Sequence, residues 1–198
     1  MKILSNTTSP YARIARIALA EKGFDLSGTR LLNPWGDDPA LLDLNPAARV
    51  PTLETDAGLP ITESLLILLW LEKKVPEPSL LTGPLDLVIS QAGLAMGVID
   101  AMANIVTGVM QMDPGWGETR VGLRRRRSIV NGLRRLEADP PTHGPGTPNV
   151  AIITAIVAID YLRLRFKDAL WVEPTPKLDA LRALVANRPA FAATEPYL

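Results

Sequence analysis

The sequence predicts two domains of different class: an α/β domain over residues 1–75 and an all-helical domain over 85–198, with a linker at 76–84 between them. Three observations predict this. Strand and helix signals alternate through roughly the first 75 residues, in the order strand–helix–strand–helix–strand–strand–helix. A Pro-rich stretch, Val75-Pro76-Glu77-Pro78-Ser79, then breaks the pattern. After it, helix signals alone continue to the end.

Lys2–Ser5 reads as a short strand that runs into the polar stretch Asn6-Thr7-Thr8-Ser9. From Pro10 the apolar residues Tyr11, Ile14, Ala15, Ile17 and Ala18 keep helical spacing, with Pro in the first turn, where its missing N–H costs nothing. Gly23 ends this helix as a C′ residue. Thr29–Leu32 is a second strand, and Ala40–Leu44 a short helix after the loop Asn33–Pro39. Asn45–Pro51 is a loop leading into a strand, and Asp56-Ala57-Gly58 turns the chain back through Leu59-Pro60-Ile61. Thr62-Glu63-Ser64 sets polar residues before an apolar helix at Leu65–Lys73.

Beyond the linker, Leu85–Met112 reads as one long helix, with a kink expected near its glycines. Trp116–Ala138 is a second helix, basic on one side. Pro140–Pro148 is a loop, Val150–Phe166 a buried helix, and Pro176–Asn187 and the tail from Pro189 are shorter helical pieces.

Composition narrows the chemistry. Lys+Arg and Asp+Glu number 21 each, so no net field draws the chain to nucleic acid or an anionic membrane. The basic run of Arg120, Arg124 to Arg127, Arg134 and Arg135 is interleaved with Val121, Leu123, Ile129, Val130, Leu133 and Leu136 and lacks aromatics, as in an amphipathic helix with a solvated face. The chain has no Cys, which removes disulfides, thiolate metal sites and a Cys nucleophile together. Its single His leaves little for a His metal site or a Ser-His triad, so no metal is expected. The N-terminus lacks the long apolar core of a signal peptide, and the apolar run Val150–Ile159 is short for a bilayer. A cytoplasmic location, with neither membrane nor nucleic acid as partner, is the expectation.

Several constellations admit two readings. Pro51 at a strand entrance reads by itself as an ordinary trans edge residue. Glu63-Ser64 reads as a plain helix cap or as a carboxylate site at a helix N-terminus. Ser9 reads as the N-cap of the first helix, worth about 1 kcal/mol.

Taken together, these motifs resemble those of the glutathione S-transferase family, and of its bacterial branch. The resemblance lies in Ser9-Pro10-Tyr11 with Arg16-Ile17-x-Leu19-x-Glu21-Lys22-Gly23, in Asn45-Pro46-x-x-Arg49-Val50-Pro51-x-Leu53, and in Thr62-Glu63-Ser64. Asp160-Tyr161-Leu162 and Arg188-Pro189-x-Phe191-x-x-Thr194 extend it along the whole chain. It implies a thioredoxin-like first domain, a cis Val50-Pro51 bond, and a helical second domain that forms an electrophile pocket and part of a homodimer interface. It further implies glutathione as co-substrate, a small hydrophobic electrophile as second substrate, and a role in detoxification.

Carried over by motif, the backbone of Val50 pairs with the cysteinyl part of glutathione. Glu63 and Ser64 hold its γ-glutamyl end, and Arg49 stands near its glycyl carboxylate or is a solvated loop charge. Ser9 is the candidate for stabilising the thiolate. Lowering a thiol pKa from about 8.5 by two units needs about 2.7 kcal/mol. A hydroxyl donating to an anion gives roughly 1.5–3 kcal/mol and a helix N-terminus some 0.3–1 more. Thr8, Thr7 and Ser5 compete for the role. Arg13 is a second candidate for holding the anion, or a surface residue without a role, and Tyr11 reads as packing.

On the long helix, Asp100 matches an acidic residue that in several classes reaches across the dimer to the glutathione amino group; its plain reading is an exposed or capping Asp. Met96, Ile99, Met102, Ala103 and Met110, with Trp116, are pocket candidates or simply core. Two alternatives stand beside the transferase reading: a non-catalytic interaction or regulatory protein of the same fold, and a glutathione-dependent isomerase, whose usual Ser-Ser-Cys type of site is missing a Cys here. The family also tends to open its buried helix with Ser/Thr-x-x-Asp, a capping box. The register expected here, Thr147-Pro148-Asn149-Val150, puts Val at the acidic place, which predicts that Val150→Asp raises the melting temperature.

Overall fold

The computed structural model describes residues 1–198. The chain forms two compact units: Met1–Leu80 together with Ala186–Leu198, and Leu81–Val185. The placement of the last residues with the first unit differs from the sequence reading, which kept 85–198 together.

The first unit is built on a four-stranded sheet of order β2-β1-β3-β4, from β1 (Lys2–Ser5), β2 (Thr29–Leu31), β3 (Thr52–Glu54) and β4 (Pro60–Thr62). β1 and β2 are parallel, joined by the crossover helix α1 (Pro10–Glu21); β3 runs antiparallel to both β1 and β4. α2 (Pro39–Leu44) and α3 (Ser64–Lys74) complete it. This is the thioredoxin-like arrangement expected. Ile14, Ile17 and Ala18 of α1 are buried, as are Ile67 and Leu71 of α3, and the two helices pack on one another.

α1 ends as its sequence predicts. Gly23 takes φ +80°, its N–H bonds to Ala20 O at 2.9 Å, and the Phe24 N–H reaches Leu19 O at 3.0 Å. That pair of bonds is a Schellman closure, which needs the left-handed residue. Lys22, just before it, is buried. Its Nζ pairs with Glu72 Oε1 at 2.5 Å and donates to Val75 O at 2.7 Å and Pro76 O at 3.3 Å. Glu72 in turn accepts from Ser79 Oγ (2.9 Å) and Leu80 N (2.8 Å). This ion pair, with Lys22 buried and Glu72 half-buried, ties the Pro-rich segment onto α1 and α3. Glu21 is equally structural. It accepts a two-pronged bond from Arg188, at 2.9 and 2.7 Å, which fastens the C-terminal segment. Arg16 Nη2 adds a bond to Ala193 O at 3.2 Å, and burial pushes its guanidinium below the usual arginine range, Tyr197 opposing. Phe191 of α8 (Pro189–Ala192) is buried beneath these contacts.

The second unit is helical. α4 (Leu85–Gln111) runs uninterrupted through its glycines and packs on α5 (Arg120–Ala138) and α6 (Val150–Phe166). By length and composition α4 could cross a membrane; here it is a packing helix. Gly108 of α4 and Gly132 of α5 serve close approach, whereas Gly93 and Gly97 of α4 face open space. A Cβ on Gly132 would lie 2.4 Å from Val98 Cγ2, and one on Gly108 would lie 2.2 Å from the Trp116 ring. The helix expected over Trp116–Ala138 breaks at Thr119. A single 3-10 turn (Trp116–Glu118) precedes α5, and Thr119 Oγ1 caps it by accepting from Gly122 N at 3.1 Å. On the basic side of α5, Arg126 pairs with Glu118 and stacks on Trp171, and Arg134 pairs with Glu173.

The start of α6 corrects the capping register. Asn149, not Thr147, is the N-cap: its Oδ1 accepts from Ile152 N at 3.1 Å, and its Nδ2 donates to Thr82 O at 2.9 Å. Val150 is the first helical residue and only 3% exposed, so an Asp there would bury a charge. The expected gain from Val150→Asp is therefore withdrawn. α7 (Pro176–Val185) closes the unit.

Candidate functional site

The strand registers gather the motif residues at one end of the sheet. Leu4 pairs with Thr52, and Thr52 with Thr62. Ser5, Pro51 and Glu63 are the next residues in the chain at this end of the two ladders. The carboxyl ends of β1, β2 and β4 all open there, the end at which open α/β sheets bind ligands. The polar loop 6–9, the Val50-Pro51 bend and the start of α3 meet at this edge.

Val50-Pro51 is cis, as the resemblance implied and the plain reading of the sequence did not; Glu77-Pro78, unmarked by any sequence signal, is cis as well. The Val50 side chain is buried with Leu4, Ala12 and Leu41, which fixes the bend against the first turn of α1. Asn45 holds the other flank. Its Nδ2 donates to Arg49 O (3.0 Å) and Thr52 Oγ1 (3.1 Å). Val50 itself contributes N–H and C=O to none of the turn, loop or cap hydrogen bonds, so that short backbone edge can pair with an extended ligand.

Glu63 is the N-cap of α3, yet its side chain makes no capping bond, and its backbone sits at φ +65°, ψ 123°. A non-glycine residue held there costs on the order of 1–3 kcal/mol, which the surrounding structure must offset. Plain helix capping therefore does not account for Glu63. Its carboxylate lies 3.9 Å from Arg49 Nη1, both side chains being exposed. Ser64 follows as the first helical residue, buried, at an end where unpaired N–H groups favour a carboxylate. An acid, a guanidinium and a helix N-terminus in this order suit a ligand with an ammonium and carboxylates.

The hydroxyls differ sharply in what they can still do. Ser5 is fully buried, and its Oγ has no hydrogen-bond partner. Thr8 donates its hydroxyl proton to Asn6 Oδ1 at 2.7 Å, so that proton is already used. Ser9 is the N-cap of α1, its Oγ accepting from Ala12 N at 3.2 Å. A hydroxyl has one proton and two lone pairs, so capping leaves the Ser9 proton free to donate. Thr7 is half-buried in the loop. Arg13, for which the sequence allowed a surface position, is buried at 5% exposure in the first turn of α1, and Tyr11 is half-buried.

Asp100 is exposed on α4 in the second unit. Of the pocket candidates there, Ile99 and Met102 are fully buried core, Met96 and Ala103 are half-buried, Met110 is exposed, and Trp116 packs on Gly108. Asn6 was not singled out in the sequence. The signal was present, an Asn two residues before a Thr in a polar turn, but such turns are common.

Comparison with known proteins agrees with this fold. Residues 8–74 match the glutathione S-transferase N-terminal domain family. The chain is 31% identical over 202 residues to the uncharacterized GST-like protein YibF of Escherichia coli (strain K12), covering 99% of this chain and 98% of that one. It is 29% identical over 209 residues to maleylacetoacetate isomerase of Pseudomonas aeruginosa, covering 99% and 96%. A glutathione S-transferase from Methylobacterium radiotolerans, solved in complex with glutathione sulfonate, superposes with a TM-score of 0.88 at 32% identity over 100% of this chain and 95% of that one. The chain belongs to the glutathione S-transferase family.

Proposed function

We propose that this protein binds glutathione at the open end of the first unit and uses its thiolate as a nucleophile. The observation that supports this most is Ser9, a helix N-cap whose hydroxyl proton is still available, on the edge shared by Val50-Pro51 and Glu63-Ser64. In this reading Val50 pairs with the cysteinyl backbone, Ser64 and the α3 N-terminus take the γ-glutamyl carboxylate, and Glu63 faces the γ-glutamyl ammonium. Arg49 is left for the glycyl carboxylate. The thiol proton passes to solvent, and the sulfur anion is held by the Ser9 hydroxyl and the α1 N-terminus, without a general base.

Two reactions start from that thiolate. In a transferase, sulfur attacks an apolar electrophile; with an aromatic chloride a C–S bond forms, the C–Cl bond breaks and chloride leaves with the pair. In an isomerase, sulfur adds to a conjugated cis double bond, the new single bond rotates, and the thiolate is expelled unchanged. The full-length relative named maleylacetoacetate isomerase supports the second as much as the family supports the first. The absent Cys does not decide between them, since Ser9 serves either. A homodimer is part of the proposal, supported by the exposed leucines Leu65, Leu66 and Leu69 on α3, and its check is the mass in solution by light scattering.

The test is retention on immobilised glutathione, followed by two assays. Loss of one thiol per chloride released marks the transferase. Conversion of a cis-olefinic diketo acid with no net loss of thiol marks the isomerase. Retention with neither reaction would favour a non-catalytic glutathione-binding relative, and failure to be retained would overturn the proposal.

A further inference from the structure

Asn6 holds three hydrogen bonds in the loop that delivers Ser9. Its Oδ1 accepts both the Thr8 N–H (2.9 Å) and the Thr8 hydroxyl (2.7 Å), and its Nδ2 donates to Leu32 O at 3.0 Å. The first two close an Asx turn over residues 6–8. The third ties that turn to the end of β2, where the Leu32 N–H is itself bonded to Ser5 O at 3.0 Å. Ser9 comes next in the chain and is anchored on its other side by the α1 cap and by Arg13 N donating to Ser9 O at 3.0 Å. The residue is thus clamped from both sides, with Asn6 at the centre of the clamp on the loop side.

We propose that Asn6 is a positioning residue for the thiolate: it aims the Ser9 hydroxyl and, by occupying the Thr8 proton, leaves Ser9 as the donor that meets the sulfur. This rests on the thiolate reading above. The consequence is specific. Loss of Asn6 weakens stabilisation of the anion more than it weakens glutathione binding, because the groups that hold the rest of the peptide lie on other elements.

The experiment compares wild type, Asn6→Ala, Asn6→Ser and Thr8→Val in three readouts: ionisation of the bound thiol followed by thiolate absorbance against pH, affinity for S-methylglutathione, and melting temperature. Asn6→Ala is expected to raise the pH of half-ionisation by about one unit, a roughly tenfold loss of thiolate below it, with S-methylglutathione affinity changed less than about threefold. Asn6→Ser, which rebuilds part of the turn with a hydroxyl, restores part of the shift. Thr8→Val, which removes one of the three bonds, shows a smaller shift and serves if Asn6→Ala does not fold. An unmoved thiol in both Asn6→Ala and Thr8→Val, or a loss of affinity and melting temperature without a thiol shift, would overturn the role. A wild-type bound thiol that ionises like the free one would instead overturn the thiolate reading, and this inference with it.

Discussion

Ser5 and Ser9 are the same residue type four positions apart, and their surroundings give them opposite prospects. Ser5 is sealed in the sheet with an unpartnered hydroxyl, a condition that costs about 1–3 kcal/mol. Ser5→Ala is therefore expected to leave stability unchanged or raise it, and to leave turnover intact; thermal denaturation and a conjugation assay check both, and a loss of activity would bring Ser5 back as a candidate. The sequence offered Ser5, Thr7, Thr8 and Ser9 without an order among them, because hydroxyl chemistry is decided by where each proton goes. Asn6 was passed over because its local turn with Thr8 is a common pattern, and its bond to Leu32 O exists only once loop 6–9 lies beside the end of β2.

At the scale of elements, periodicity and turn residues made β1, α1, α6 and the hairpin legible, since each follows a local rule. What escaped was set by neighbours. The break at Thr119 follows from the Trp116 turn fitting against Gly108, and the α6 cap is Asn149 because its amide also reaches Thr82. Asn149→Ala removes both bonds of that side chain and should cost about 1–2 kcal/mol, while Val150→Asp should lower the melting temperature through burial of a charge; denaturant titration measures the first and calorimetry the second.

The Lys22–Glu72 tie adds a pH dependence. Burial works to raise the Glu72 carboxyl, but hydrogen bonds from Lys22, Leu80 and Ser79 outweigh it and leave it below the usual carboxylate range. A group whose folded pKa is depressed stabilises the fold above its unfolded value, near 4.3 for Glu, and loses that contribution as pH falls through the folded value. Glu72→Gln should therefore be less stable than wild type at neutral pH and show a flatter decline on acidification, as read from denaturant midpoints between pH 7 and about pH 3.

In the whole molecule, the motif residues divide into two sets that the sequence presented as one. Arg16, Glu21, Lys22 and Arg188 assemble the first unit by binding the linker and the returning C-terminus. Ser9, Val50, Glu63 and Ser64 lie at the open sheet edge and are the residues proposed to hold glutathione. That return of Ala186–Leu198 was not readable, because helical spacing says nothing of which unit a helix joins. The proposed function stands or falls on what the second set does to a thiol. Titrating the thiolate absorbance of glutathione bound to wild type and to Ser9→Ala tests it most directly. Half-ionisation is expected about two pH units below the free thiol in wild type, with a return of at least about one unit in Ser9→Ala; coincident titrations of the two proteins would contradict it.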